Sequence, residues 1–340
     1  MTDKKIILAD IASQLNISKM TVSRALNGQN GVGEALSKEI RLAATNMGYS
    51  FERLRSGGEK RKYVYIISKL SQEPHSYYYD VYSHLKKICA EENWEIYLHI
   101  SETEDEQRGI LPEKIHDVNG IIYAAAKDDD ILIEYIDKLG IPYVMNSLAI
   151  LKNADYVIFD DYFNCMLLTD YLYKKGYKKI GFVGGDHYRS GFLIRYHGFL
   201  HVLKKYNLPY REEWLIDNYD REAGLYKLDY ILPRPLPEAI ICYSDRAAWY
   251  FFEKIKIEGI KVPDDIALIS FNNSSLTKKC NPSLTSLNIK AELVAKESLK
   301  LLDERIKGRT TPRRVYLDAG IIEGLSTPEK KRRSLKREKV

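Results

Sequence analysis

The opening stretch of the chain places apolar residues on a helical period. Leu8, Ile11, Ala12 and Leu15 recur at i, i+3, i+4 and i+7, one face of a short helix. A tight turn at Asn16-Ile17 follows. Ser18 is suited to cap a second helix, with Ile17 placed to pack on Val22. That helix is predicted to run to about Asn27, where Gly28 can take the left-handed conformation that closes a helix. A third helix shows Leu36, Ile40, Ala43, Ala44 and Met47 on one face and is closed by Gly48. Three short helices with a tight first turn satisfy the requirements of a helix-turn-helix.

The pattern changes at Tyr63. Apolar runs of strand length now alternate with helical stretches. The predicted strands are Tyr63–Ile67, Trp94–Ile100, Gly120–Tyr123, Tyr143–Asn146, Tyr156–Asp160, Lys179–Val183, Ala239–Tyr243 and Ala267–Phe271. Helical periodicity marks Val81–Glu92 and Asp130–Leu139 between them. Such alternation predicts parallel α/β sheets that hold ligands at the carboxyl ends of their strands. Two lobes, exchanging the chain near residues 160, 290 and 320, would enclose a cleft.

The second helix has the chemistry of a groove-reading element. With Val22, Ala25 and Leu26 turned to the core, Lys19, Met20, Ser23 and Arg24 are left outward. Arg24 can pair with guanine O6 and N7 or with phosphate; Lys19 can do either singly. Met20 offers apolar contact, as to a thymine methyl. Ser18, Thr21, Ser23 and Asn27 are short donors suited to phosphate oxygens. Residue by residue, solvation of a small bundle is the better explanation of these side chains; taken with charge, caps and the regions that follow, DNA is favoured.

Charge distribution supports that choice. The 340 residues carry a net +5, but residues 1–62 and 328–340 each hold +5, and the remainder holds −5. A basic head on an acidic body suits a polyanionic partner. The basic tail, Lys330-Lys331-Arg332-Arg333 through Lys339, reads first as a solvated end. Cys89, Cys165, Cys242 and Cys280 are scattered, without metal-site spacing, and read as buried small hydrophobes. Neither a membrane-spanning run nor a secretory signal is present, so a cytoplasmic chain without membrane contact is expected. Gly181-x-x-Gly184-Gly185 lacks dinucleotide or P-loop spacing and reads as a turn. No catalytic constellation, metal site or cofactor is expected.

Residues 8–49 resemble the headpiece of the lac repressor/galactose repressor (LacI/GalR) family. The likeness rests on Leu8-Ala9-Asp10-Ile11-Ala12, on Ile17-Ser18-Lys19-Met20-Thr21-Val22-Ser23-Arg24-Ala25-Leu26-Asn27-Gly28, and on Ala43-Ala44 through Gly48-Tyr49. The resemblance implies a sequence-specific regulator of transcription, of the repressor kind, in which Lys19, Met20 and Arg24 read bases. Ile7 stands where the family usually caps its first helix with Thr or Ser, and Gly33 replaces the usual Ser cap of the third. The family's hinge carries a Pro-Asn pair and a leucine that enters the minor groove. Here Ser50–Gly58 lacks the proline and ends in Gly-Gly. Leu54, between Arg53 and Arg55, is the candidate wedge; a flexible tether is the equal alternative.

The resemblance continues through the rest of the chain. Its landmarks include Phe159-Asp160-Asp161, Lys179-Ile180-Gly181-Phe182-Val183-Gly184-Gly185, Arg195-Tyr196-His197-Gly198-Phe199, Tyr243-Ser244-Asp245 and Ile269-Ser270-Phe271-Asn272-Asn273. It implies a periplasmic-binding-protein-like α/β core of two lobes behind a small all-α headpiece. The implied divisions are a headpiece at 1–49, a linker at 50–62, a core at 63–327 and a basic tail at 328–340. Within the core, the N-lobe takes about 63–160 and 291–318, and the C-lobe about 164–288 and 321–327. A small-molecule effector, a sugar or sugar derivative, is implied between the lobes, held by Tyr77, Tyr78, Phe159, Arg195, Tyr219, Ser244 and Asn272. Ser244 and Asn272 stand where sugar-binding members place Asn and Asp, so one charge is lost. Asp245 reads as a helix cap or as a ligand-binding residue. A homodimer on pseudo-palindromic operator DNA is implied as well. Three rivals stay open: a DNA-binding regulator without effector response, a solute receptor and, least supported, an enzyme.

Overall fold

A computed structural model describes residues 6–26, 31–47, 60–68, 77–124, 131–147, 154–184, 190–220 and 225–330. Asn27, Leu54 and the tail beyond Lys330 lie outside the described residues. The chain divides into a unit of Met1–Arg61, which also takes in Cys89–Glu95, and a larger unit of Lys62–Ile88 with Ile96–Val340.

The small unit holds α1 (Leu8–Leu15), α2 (Lys19–Leu26) and α3 (Glu34–Asn46). Ile11, Ala12, Val22, Ala25, Ile40 and Ala44 form its buried centre, with Leu8, Leu15, Ile17, Leu36 and Met47 packed around them. Asn16, at φ 52°, makes the left-handed turn that ends α1. Asn tolerates that conformation better than most non-glycine residues. Ser18 then starts α2, its Oγ accepting from the Thr21 amide at 3.0 Å. Ile7 offers no such acceptor to α1. Its extended backbone is held instead through its own amide, which donates to the Asp10 carboxylate at 2.8 Å.

The large unit contains two six-stranded sheets. Its helices are α4 (Tyr77–Glu91), α5 (Thr103–Arg108), α6 (Ile131–Lys138), α7 (Asp161–Lys174), α8 (Ser190–Lys205), α9 (Asp245–Ile257) and α10 (Ala291–Ile306). Its strands are β1 (Lys62–Ser68), β2 (Glu95–Ser101), β3 (Gly120–Ala124), β4 (Tyr143–Met145), β5 (Asp155–Phe159), β6 (Ile180–Gly184) and β7 (Leu215–Asp217). The short β8 (Tyr219–Asp220) and β9 (Leu225–Tyr226) form a separate hairpin. They are followed by β10 (Ala239–Cys242), β11 (Ala267–Asn272), β12 (Thr285–Asn288), β13 (Arg314–Leu317) and β14 (Gly320–Ile322).

The first sheet runs β13-β5-β4-β3-β1-β2 and the second β14-β12-β11-β10-β6-β7. Pairing is parallel from β13 to β1 and from β12 to β7, while β14 joins antiparallel. The central strands are buried on both faces and apolar but for Asp155 at the start of β5, as parallel strands covered by helices are expected to be. The chain passes between the sheets after Phe159, after Asn288 and after Leu317. Sheet order reverses beside β1 in the first lobe and beside β6 in the second. Those are the topological switch points at which open α/β sheets leave a crevice.

The glycine run at 181–185 is not a turn at its first four residues, because Gly181 and Gly184 lie inside β6. A side chain on Gly181 would press on Ile240 and the Trp214 carbonyl, each 2.8 Å away, and one on Gly184 would enter the Phe192 ring. Close packing of strand against neighbours is what requires glycine there.

Candidate DNA-reading helix and effector cleft

On α2, Val22 and Ala25 face the headpiece core, and Lys19, Met20 and Arg24 are exposed, Met20 at 64%. An exposed methionine beside two cations on one helix face contributes nothing to the headpiece core. Ser18 and Thr21 share a hydroxyl hydrogen bond of 2.8 Å, which leaves one hydroxyl proton of the pair for a phosphate oxygen. Ser23 is half-buried on the same side.

The candidate effector residues lie where the strands of both sheets end. Arg195, on α8 after β6, is the centre of the group. Its Nη2 donates to Asp161 Oδ1 at 3.0 Å and its Nη1 to the Tyr243 carbonyl at 2.5 Å. The guanidinium lies 4.3 Å from the Phe271 ring centroid and 4.8 Å from that of Tyr243. Its Nε is buried without a hydrogen-bond partner. Asp161 opens α7, next to Asp160, which caps that helix by accepting from the Phe163 amide at 2.9 Å. Burial raises the Asp161 carboxyl above its usual range, and Arg195 opposes that rise.

From this pair the other candidates follow through their neighbours. Tyr77 begins α4 of the first lobe, with its ring edge-on to Tyr78 at 5.5 Å. Burial pushes its hydroxyl well above the usual tyrosine range, and Tyr78 and Asp161 add to the shift while Arg195 opposes it. Tyr77 therefore stands within electrostatic range of the ion pair on the second lobe. Ser244 follows Tyr243 and caps α9 by accepting from the Ala247 amide at 3.1 Å; its hydroxyl also lies 3.4 Å from that of Tyr226. Tyr219 packs edge-on against Tyr226 at 5.2 Å. Asn272 ends β11 beside Phe271 with φ 101° and is half-buried. Phe159 is buried at the end of β5, two residues before Asp161.

Asp245 is neither a cap nor an open ligand position, since Ser244 takes the capping role. Its carboxylate accepts from Ser270 Oγ at 2.5 Å, Ser286 Oγ at 2.7 Å and the Ser274 amide at 2.5 Å. These bonds tie β11, β12 and the turn after Asn272 to the start of α9. Burial nonetheless pushes the carboxyl up to about 6, against the pull of the three donors. The folded chain then holds this proton at pH values where the unfolded chain has lost it. The group's contribution is complete below the unfolded carboxylate range and is lost as pH rises through about 6. An unfolding series from pH 4 to pH 7 should show Asp245→Asn lacking a fall of up to about 3 kcal/mol that the parent chain shows. Equal slopes in the two proteins would refute it.

Sequence reading missed Asp161, Tyr243 and Phe271 as partners of Arg195. The Asp160-Asp161 doublet after a strand was the available signal, but it points to a helix start and not to an arginine 34 residues on. All four cysteines are buried and unbridged. Among the described residues no group of His, Cys, Asp and Glu could hold a metal, and no helix is long and apolar enough to cross a membrane.

A three-helix reading head joined to a two-lobed, cleft-bearing α/β core defines a class of DNA-binding, ligand-sensing architecture. Residues 7–51 match the bacterial regulatory proteins of the lacI family, and residues 169–327 match the periplasmic binding protein-like domain. The chain thus carries a lacI-family helix-turn-helix region ahead of a periplasmic-binding-protein-like domain, an arrangement found in DNA-binding transcriptional regulators. It is 25% identical over 314 residues to the HTH-type transcriptional repressor PurR of Actinobacillus pleuropneumoniae, covering 88% of this chain and 91% of that one. Among solved structures, the transcriptional regulator CelR–cellobiose complex superposes with a TM-score of 0.69 at 24% identity, over 95% of this chain and all of that one. The lac repressor dimer bound to operator and the anti-inducer ONPF gives 0.63 at 16%, over 96% and 100%.

Proposed function

We propose that the chain is a repressor that binds a pseudo-palindromic operator as a homodimer and is controlled by a small molecule, a sugar or sugar derivative, held between the lobes of its core. The observation that carries the DNA half is the outward set Lys19, Met20 and Arg24 on a helix whose opposite face is buried. Such a face, inserted in the major groove, presents base-reading groups at its N-terminal end. The lac repressor neighbour is itself a dimer on operator, and relatives that align over nine-tenths of their length are named repressors. DNA is the partner, and the chain acts in the cytoplasm as a binder and not as a catalyst.

For the effector half, the support is the ring of tyrosines, hydroxyls and one arginine at the carboxyl ends of both sheets. Aromatic faces suit the C–H surface of a sugar and the polar groups its hydroxyls. The CelR neighbour holds cellobiose. A ligand can move the DNA equilibrium only through its differential affinity for the two lobe arrangements.

The test is binding of the purified chain to its own upstream DNA, with and without a panel of sugars and sugar phosphates. Saturable, sequence-specific binding altered by one compound is the expected result. Absence of specific binding would overturn the DNA half. Replacing Arg195 with alanine should remove the response to that compound while the melting transition persists and DNA affinity is kept; loss of DNA affinity with an intact response would sink the assignment. A second reading, a DNA-binding regulator with no effector response, draws on one observation: the charge of Arg195 is already met by Asp161. Specific DNA binding that no compound alters would favour it.

A further inference from the structure

Resting on the effector reading above, we infer that Asp161 sets the charge class of the ligand: by cancelling Arg195, it admits a neutral hydroxyl or amide group there and excludes carboxylate and phosphate.

Arg195 has a plane, a charge and five N–H donors to offer. In this chain the plane lies against Phe271 and Tyr243, one Nη donates to the Tyr243 carbonyl, and the other donates to Asp161. The two side chains are only 11% and 15% exposed, so solvent screens the pair weakly. Three N–H groups are left over, one on each Nη and the one on Nε, and Nε is buried without a partner. On α7, Asn164 is also buried and its Nδ2 has no partner. Asn164 lies one helical turn after Asp161, on the same face.

The arrangement therefore carries no uncompensated positive charge. A ligand hydroxyl or amide oxygen can accept from a spare N–H of Arg195 while the Asp161–Arg195 bond persists. An anion in the same place would stand beside the Asp161 carboxylate. It would have to break a buried ion pair before gaining anything from Arg195, and stranding either charge of such a pair is strongly unfavourable. Asp160 lies next in sequence and adds negative charge on the same side. Asp245, the other buried acid of this lobe, is turned to its three donors.

The experiment uses the full chain and inorganic orthophosphate as probe, in equilibrium dialysis, with folding followed by circular dichroism. The parent protein should show no saturable phosphate binding that depends on Arg195. Asp161→Asn should acquire it, with a gain in affinity of about ten-fold or more, and Asp161→Asn combined with Arg195→Gln should lose it again. Phosphate binding by the parent chain that Arg195→Gln abolishes would overturn the inference. A folded Asp161→Asn protein without any gain would overturn it equally, and Asp161→Ser serves if the asparagine variant does not fold. The outcome does not depend on finding the natural effector: if no sugar alters DNA binding, the effector reading falls while the phosphate result still decides the role of Asp161.

Discussion

Replacing Arg24 with alanine should lower affinity for the operator on the order of 10 to 10⁴-fold. One bidentate contact to a base is worth about 1–3 kcal/mol of discrimination, and the proposed dimer makes it twice. Binding to unrelated DNA at the same salt should weaken far less, because only one phosphate-range charge per subunit is removed. Arg24 is exposed on α2 and takes no part in the packed centre of Ile11, Val22, Ala25 and Ile40, so the headpiece should stay folded. Competition between operator and random duplex at fixed salt provides the measure. An unchanged ratio of the two affinities would show that Arg24 does not read sequence.

The second large effect concerns stability. Asp155, at the start of β5, is 0% exposed and holds one end of the first lobe together. Its carboxylate accepts from Arg305 Nε at 2.9 Å, from Arg309 Nη2 at 2.7 Å and Nη1 at 3.0 Å, and from the Arg313 amide at 2.7 Å. Arg305 also donates to the Thr310 carbonyl at 2.7 Å, and Glu304 pairs with both Arg309 and Arg313. The end of α10, the segment that follows it and β5 are thus fastened at one carboxylate.

Asp155→Ala leaves two arginines and an amide facing a buried gap, and such removals cost about 3–5 kcal/mol. Urea unfolding of the parent and variant chains should show the loss in the transition of the large unit; a difference below about 1 kcal/mol would refute the role. Burial alone would raise the Asp155 carboxyl, but the bonds from Arg309, Arg305 and Arg313 outweigh it and hold the group below its usual range. Its stabilisation is therefore present above the unfolded carboxylate range and is lost as pH falls through the depressed folded value. Asp155→Asn should lack that part of the parent chain's loss of stability in acid.

Much of the architecture could be read from hydrophobic pattern. The central strands announce themselves because a parallel strand buried on both faces must be apolar at every position, as in Ile121-Ile122-Tyr123 and Ile240-Ile241. The edge strands β7, β13 and β14 carry no such mark. Arg314–Leu317 alternates exposed and half-buried residues and exists as a strand because β5 supplies its hydrogen-bonding partner. Even the inner Thr285–Asn288 is too short and too polar to stand out by pattern.

The sequence by itself determined the three-helix head, with its Ser18 cap, its turn at Asn16 and its outward Lys19, Met20 and Arg24. It also determined the alternation that makes two parallel sheets. These are local properties: periodicity, capping and strand burial are written in neighbouring positions. Only the tertiary structure decided what each polar group does. Asp161 meets Arg195 across 34 positions, Asp155 meets Arg305 across 150, and Asp245 meets Ser286 across 41. Ser244, and not Asp245, became the cap of α9. A buried carboxylate must find donors wherever the fold brings them, and that choice depends on the packing of distant elements, which no local pattern records.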